Sequence, residues 1–345
     1  MNFQIAMLLG QDGVTNGAIY ALLALSFLLV FTVTRILLIP LGEFVTFGAL
    51  TMAALQAGEP TRLVWLLLAL TLVDCALDLL AAFRSARGVR LPKWVPFKLG
   101  YALLLLVLVQ NLPLAELPMA MQAILTLALV VPLGPQMYRL FFQPIAAAHS
   151  LVLLIVSIAV HVAMVGVGLL LFGPEGARTR PFSEAGLALG PVVLNSQTLW
   201  VIAVSLGLIV ALFLFFERSL YGKALRATAV NRMGARLMGI SPTLAGKATF
   251  ALASLIGALS GILIAPITTL YFDSGFIISL KGFVGAIIGG LVSYPVAALG
   301  ALAVGLVEAF SMFWASNYKE VIVFTLIIPF LLWRSLTSRH VEEEE

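Results

Sequence analysis

The chain predicts an all-α polytopic integral membrane protein of about ten transmembrane segments, with one or more broken or re-entrant helices. Three observations lead there. Hydrophobic residues make up 61% of the 345 residues and charged residues only 10%, against about 25% charged in a soluble domain. The apolar residues fall into runs near the roughly 20 that a helix needs to cross a bilayer. Lysine and arginine gather in the short stretches between runs, as in cytoplasmic loops. The formal net charge of +4 is therefore read as topology, and nucleic acid is not expected as a partner.

In chain order, the runs 14–34, 36–57 and 63–83 are each long enough to span. The run 97–112 is shorter and ends at Pro113, so a tilted or partly broken span is expected. Spans follow at 117–137, 150–172, 196–216 and 248–268. The stretch 280–313 is too long for one span. Ser293-Tyr294-Pro295 interrupts it, because the residue before a proline resists helix, and two segments are expected, one of them re-entrant. A last span is 319–335. The N-terminus has no basic n-region and no small-residue cleavage site, so the first run is expected to stay in the membrane. The single cysteine, Cys75, allows no internal disulfide.

Orientation follows from lysine and arginine in short loops. Residues 84–98 hold Arg84, Arg87, Arg90, Lys93 and Lys98 with no acid, 138–149 hold Arg139, and 217–247 hold six basic residues against Glu217. All three fall on one side, read as cytoplasmic, with the N-terminus and the Gly/Pro-rich segment 173–195 outside. Arg334 and Arg339 put the C-terminus inside, which requires 280–313 to cross twice. The tail Glu342–Glu345 is read as a solvated end. No soluble domain is visible, and residues 1–345 read as one transmembrane domain.

Enzyme motifs are missing. The histidines are His149, His161 and His340, and none has a second ligand at metal-binding spacing, so no metal is expected. Gly246-Lys247 fails as a phosphate-binding loop, because Ser241 and Ala248 stand where glycine and Ser/Thr are needed. Membrane-depth ionisable residues are functional candidates because burying them is costly. Those residues are Glu43, Glu308 and His161. Glu308 is expected to pair with Lys281 or Lys319. Asp74 and Asp78 share a helix face, with arginines such as Arg84 as expected partners. His161 is read as a neutral hydrogen-bonded residue and Asp273 as lying outside or at a cavity mouth. Gly257/Gly261 and Gly285/Gly289 have the spacing that lets helices approach closely in lipid, here for packing within the subunit.

The basic stretch carries the sharpest functional reading. Ala227, Val230, Ala235, Leu237 and Met238 alternate with basic and polar residues, Gly234 and Gly239 bracket a short segment, and Ser241-Pro242 stops it. A surface amphipathic helix over 226–240 is expected. It either fixes topology alone or docks in a groove of a soluble partner.

The run Tyr221-Gly222-Lys223-Ala224-Leu225-Arg226-Ala227, with Asn231, Ala235, Leu237 and Gly239-Ile240, resembles the ATPase-contacting loop of branched-chain (hydrophobic) amino acid ABC importer permeases. Gly257-Ala258-Leu259-Ser260-Gly261, Lys281-Gly282-Phe283, Gly289-Gly290-Leu291, Asn16-Gly17-Ala18-Ile19-Tyr20, Leu41-Gly42-Glu43 and Leu171-Phe172-Gly173-Pro174 extend the resemblance over roughly 10–57 and 113–335. It implies a non-enzymatic permease subunit in a bacterial inner membrane, with a periplasmic N-terminus and alternating access. Implied partners are a second related permease, two cytosolic ATPases holding ATP and Mg, and a periplasmic solute-binding protein, besides membrane lipid. No cofactor is expected in this chain. The ATPase-coupling residues would be Arg226, Asn231, Ala235, Arg236, Leu237, Gly239 and Ile240. The substrate path would hold Asn16, Tyr20, Glu43, Lys281 and Glu308. Two departures stand out: Leu38-Ile39-Pro40-Leu41-Gly42 lacks the family's asparagine and histidine, and 63–112 looks like an inserted pair of helices at the lipid-facing edge. The implied solutes are branched-chain or related small amino acids or amides. An ion-coupled secondary transporter, a permease for urea or another small amide, and a structural subunit without a path are the alternatives.

Overall fold

In hydrocarbon each backbone N–H and C=O needs a partner inside the protein, and a helix supplies it within one segment. The computed structural model describes residues 3–84, 94–183, 186–189, 192–291 and 293–337. Its helices are α1 (Phe3–Thr34), α2 (Leu41–Ala57), α3 (Leu63–Arg84), α4 (Trp94–Asn111), α5 (Met119–Val130), α6 (Leu133–Met137), α7 (Ser150–Phe172), α8 (Ser196–Arg218), α9 (Leu220–Val230), α10 (Arg232–Leu237), α11 (Pro242–Ile264), α12 (Ser274–Ile288), α13 (Tyr294–Trp314), α14 (Lys319–Thr325) and α15 (Ile327–Thr337). The segment 173–195, expected as a plain loop, includes an antiparallel hairpin of β1 (Gly186–Leu189) and β2 (Val192–Asn195), with Gly186 opposite Asn195. Arg87, Arg90, Lys93, Glu184, Arg339, His340 and the acidic tail lie outside the described residues.

Eight helical stretches among these residues are long and apolar enough to cross a bilayer, and α2 and α12 are shorter apolar helices. The 280–313 stretch divides as expected, into α12 and α13, around Gly290 and Leu291 at positive φ. Three expectations shift for local reasons. The span foreseen at 248–268 begins earlier, at Pro242, because Ser241 Oγ caps Leu244 N–H and proline suits a first helical turn. The span 117–137 bends after α5. Pro132 and Pro135 cannot donate to the carbonyls four residues back. Those freed carbonyls find side chains instead: Tyr101 Oη donates to Ala128 O at 2.7 Å and Ser254 Oγ to Val131 O at 2.8 Å. The run 319–335 divides into α14 and α15, where Pro329 leaves the Thr325 carbonyl without its helical donor.

The core is the bundle of α1, α2, α11, α12 and α13. Small residues set its spacing. Gly13 and Gly17 of α1 face Gly305 of α13 so closely that a methyl group on any of them would overlap the opposite helix. Gly42 and Gly275 likewise let the starts of α2 and α12 touch, with Gly275 N–H donating to Thr46 Oγ1 at 2.9 Å. Gly257 and Gly261 face α2, and Gly285 and Gly289 face Ala301 and Ala297 of α13. Both pairs serve packing within the subunit.

The span expected at 36–57 is interrupted. Residues 35–40 are not helical: Arg35 lies at positive φ, residues 39–40 turn, and helix begins only at Leu41. Ser157, buried on α7, satisfies that stretch from both sides: its Oγ accepts from Ile39 N–H at 2.9 Å and donates to Leu37 O at 2.6 Å.

α3 and α4 lie at the edge and expose Trp65, Leu72, Leu80, Phe97, Leu104 and Val107, the surface expected against lipid. A charge cluster ties the pair to the bundle. Lys98 meets Asp74 and Asp78 at 2.6 and 2.8 Å, and Arg139 pairs with both aspartates. The partners seen are Lys98 and Arg139, because α4 and the helical turn after α6 face α3 at that height; the Arg84 side chain lies outside what the structure describes.

Candidate functional site

The two ends of the bundle differ. At one end lie the close of α1, the turn after α6, α9, α10 and the start of α13, with Arg35, Arg139, Arg218, Lys223, Arg226, Arg232 and Arg236. Of the loops expected to share a side, 138–149 and 217–247 do, with Gly246 against the Tyr138 ring; residues 85–93 lie outside the described residues. At the other end lie the start of α1, the hairpin segment and residues 265–273, joined by Ala177 pairing with Leu270 and by Gln11 Nε2 donating to Thr198 Oγ1 at 3.3 Å.

A cavity of about 900 Å³ opens at this second end. α1, α8, α12 and α13 wall it, and residues 178–183 and 264–270 rim it. Gln11, Thr15, Asn16, Gln197, Thr198, Thr268 and Thr269 make the wall polar. Its deepest charged groups are Lys281 and Glu308, both buried. Lys281 Nζ donates to Glu308 Oε1 at 2.5 Å, and Tyr20 Oη donates to Glu308 Oε2 at 2.6 Å. Lys281 Nζ also lies 5.9 Å from the centre of the Tyr20 ring. Of the two partners foreseen for Glu308, Lys281 is the one that pairs; Lys319 stands in the cavity wall.

Below this floor the bundle is closed. Gly282 packs on Leu23, and the Phe27 and Phe283 rings sit 5.2 Å apart. Beyond lies an apolar groove of about 770 Å³ at the basic end, walled by the opposite ends of α1, α8 and α13, with Leu25, Leu29, Phe213, Phe216 and Ala298, and by α9 and Leu291 of the turn after α12. Along α1 the two spaces are separated only by Tyr20 to Leu25, about 7.5 Å of helix axis.

Asn16, Tyr20, Lys281 and Glu308 therefore come together in one cavity. Glu43 does not line it. It is buried in the first turn of α2, where its Oε1 meets His161 Nδ1 at 2.7 Å, and the imidazole stacks on Phe276 with ring centres 4.5 Å apart. The run before Glu43 lacks a histidine, yet the carboxylate still meets an imidazole, supplied by α7. Sequence reasoning missed the polar wall of the cavity, because Gln11, Gln197, Thr198 and Thr268 are unremarkable until three distant segments converge.

At the basic end, the helix expected over 226–240 is two helices. Asn231 takes an extended conformation between them, and its Oδ1 accepts from Gly234 N–H at 2.8 Å, capping α10. An asparagine in this role favours a helix start over a helix interior. Gly239, at φ +83°, ends the segment. Ala235 turns inward, whereas Val230 and Leu237 are each 82% exposed and Met238 83%. With Met233 they offer exposed apolar side chains on a basic background; Val230, Leu237 and Met238 were foreseen on the amphipathic segment, Met233 was not. Arg226 reaches Glu217 at 3.4 Å. Arg232 donates to the Val33 carbonyl through Nε and Nη2, at 3.3 and 3.0 Å. The segment is thereby fastened to the last turn of α1, and Leu225 and Ala245 pack with Leu29 and Val33 beneath it.

Residues 11–331 match the family described as branched-chain amino acid transport system / permease component. The high-affinity branched-chain amino acid transport system permease protein BraD of Pseudomonas aeruginosa is 26% identical over 242 residues, covering 68% of this chain and 79% of BraD. LivH of Escherichia coli K12, described in the same words, is 35% identical over 126 residues, which are 35% of this chain and 40% of LivH. Among solved structures, PsaBC from Streptococcus pneumoniae in complex with Fab aligns over 94% of this chain and 89% of that one, at 12% identity and a TM-score of 0.38, too distant to bear on the site. The resemblance of the motifs and the extent of the family match agree: the chain belongs to the family of branched-chain amino acid transport permease components.

Proposed function

We propose that this permease carries a branched-chain or related small amino acid across a bacterial inner membrane, through the cavity floored by Lys281 and Glu308. The cavity is the observation that carries the reading. It opens at the end opposite the basic loops, is closed beneath its floor, and faces a second groove built on the opposite ends of α1, α8 and α13. Alternating access then requires only that α1, α8, α12 and α13 tilt to exchange which end is open. The basic end is cytoplasmic by the lysine and arginine rule, so the N-terminus and the cavity mouth are periplasmic.

Energy comes from outside the chain. The apolar surface of Val230, Met233, Leu237 and Met238 docks in a cytosolic ATPase subunit that holds ATP and Mg, and hydrolysis belongs to that partner. Arg232 passes the motion to α1, which walls both the cavity and the groove. A second related permease, a second ATPase and a periplasmic solute-binding protein complete the particle, and 217–247 is its coupling loop. Residues 63–112 are an added edge hairpin of a single transmembrane domain.

The test is to replace Leu237 and Met238 together with aspartate. ATPase copurification and solute uptake should both fall at least tenfold while the permease still reaches the membrane. Uptake and copurification at wild-type levels would overturn the docking assignment.

A further inference from the structure

Resting on the proposed path, we infer that the Lys281–Glu308 pair is a docking site for the charged head of a net-neutral zwitterion, with the ligand carboxylate on Lys281 and its ammonium on Glu308. The geometry argues for it. An ammonium has three N–H donors, and among the described residues Lys281 spends one, on Glu308 Oε1. A carboxylate offers about four lone-pair directions, and Glu308 uses two, for Lys281 and Tyr20. Both groups line the cavity, so their remaining capacity is available to a molecule inside it. A zwitterion laid head-to-tail along the pair satisfies that capacity without breaking a bond already present.

Charge explains the selectivity. Ions at membrane depth are costly unless balanced. The pair is balanced, and a zwitterion keeps it so. An amine or a carboxylate alone adds an uncompensated charge to the same buried floor. Ile277, Ile278, Ala309 and Met312 line the cavity on α12 and α13 beside the pair and offer apolar surface to a side chain. Holding α1, α12 and α13 together would need only the bonds among Tyr20, Lys281 and Glu308; it would not require placing them at the floor of a polar cavity with bonding capacity to spare.

The experiment is binding to the full-length permease in lipid nanodiscs, read by saturation-transfer NMR. The probes are L-leucine, 4-methylpentanoate, which lacks the ammonium, and 3-methylbutylamine, which lacks the carboxylate. Leucine should bind at least tenfold more tightly than either. In the double variant Lys281→Met with Glu308→Gln, leucine should lose at least tenfold, whereas the two analogues should change little. Equal affinity for the three probes in the wild-type protein overturns the inference, as does leucine binding unchanged within twofold in the double variant. The wild-type comparison stands even if the variant does not fold. Amino-acid uptake by cells carrying the wild-type chain separates the two levels. If uptake is present without zwitterion preference, only this site is wrong; if no amino acid is taken up, the proposed path fails as well.

Discussion

Tyr101 shows how a single side chain decides whether a proline is tolerable in lipid. Its hydroxyl takes the Ala128 carbonyl that Pro132 leaves unpaired, and a buried polar group without a partner costs about 1–3 kcal/mol. Tyr101→Phe should therefore lower stability by about that amount, measured as thermal unfolding in detergent, while Phe at a lipid-facing tyrosine would change little. The buried pair at the cavity floor has a similar asymmetry. Removing one partner of a buried ion pair costs about 3–5 kcal/mol, whereas removing both costs far less. Lys281→Met alone should thus destabilise more than Lys281→Met with Glu308→Gln, and a double-mutant cycle on the unfolding temperature reads the difference. Equal effects would mean that the two groups do not share their charge. Glu308 was legible in the sequence as an acid at membrane depth, and Lys281 was one of two named partners. Glu43 was equally legible as a buried acid, but its separation from the cavity was not: the chain does not reveal that His161 of a different helix faces it.

At the scale of elements, the breaks carry the information. α2 begins late because Ser157 satisfies Leu37 and Ile39 in the stretch before it, and the segment proposed for coupling is two helices because Asn231 caps the second. Asn231→Ala removes that cap, worth about 1 kcal/mol, and should merge α9 and α10 or fray α10. ATPase copurification should weaken severalfold although no apolar contact is deleted. Unchanged copurification would show that the angle between the two helices does not matter. α1 and α13 touch through Gly13, Gly17 and Gly305, so Gly305→Leu should separate them and abolish assembly in the membrane. The apolar runs made most of these elements readable, since length and hydropathy alone mark a span. The ends of elements were less readable. Pro242 starts a helix, Pro132 bends one and Pro329 breaks one, and the difference lies in whether a side chain from elsewhere, or a cap beside it, takes over the lost bond.

At the scale of the whole molecule, α1, α8 and α13 bound two spaces at opposite ends, and the segment proposed for coupling is fastened to α1, which walls both. That arrangement lets force applied at the basic end reach the cavity floor without passing through a soluble domain. The proposed orientation joins the parts: the charged handle inside, the polar cavity outside. It is tested most directly by labelling single cysteines in intact cells with a membrane-impermeant maleimide, in a Cys75→Ala background. Thr269→Cys, in the cavity wall, should label from outside, and Met233→Cys, on the docking surface, only after the cells are permeabilised. Labelling of Met233→Cys in intact cells, with Thr269→Cys protected, would contradict the account.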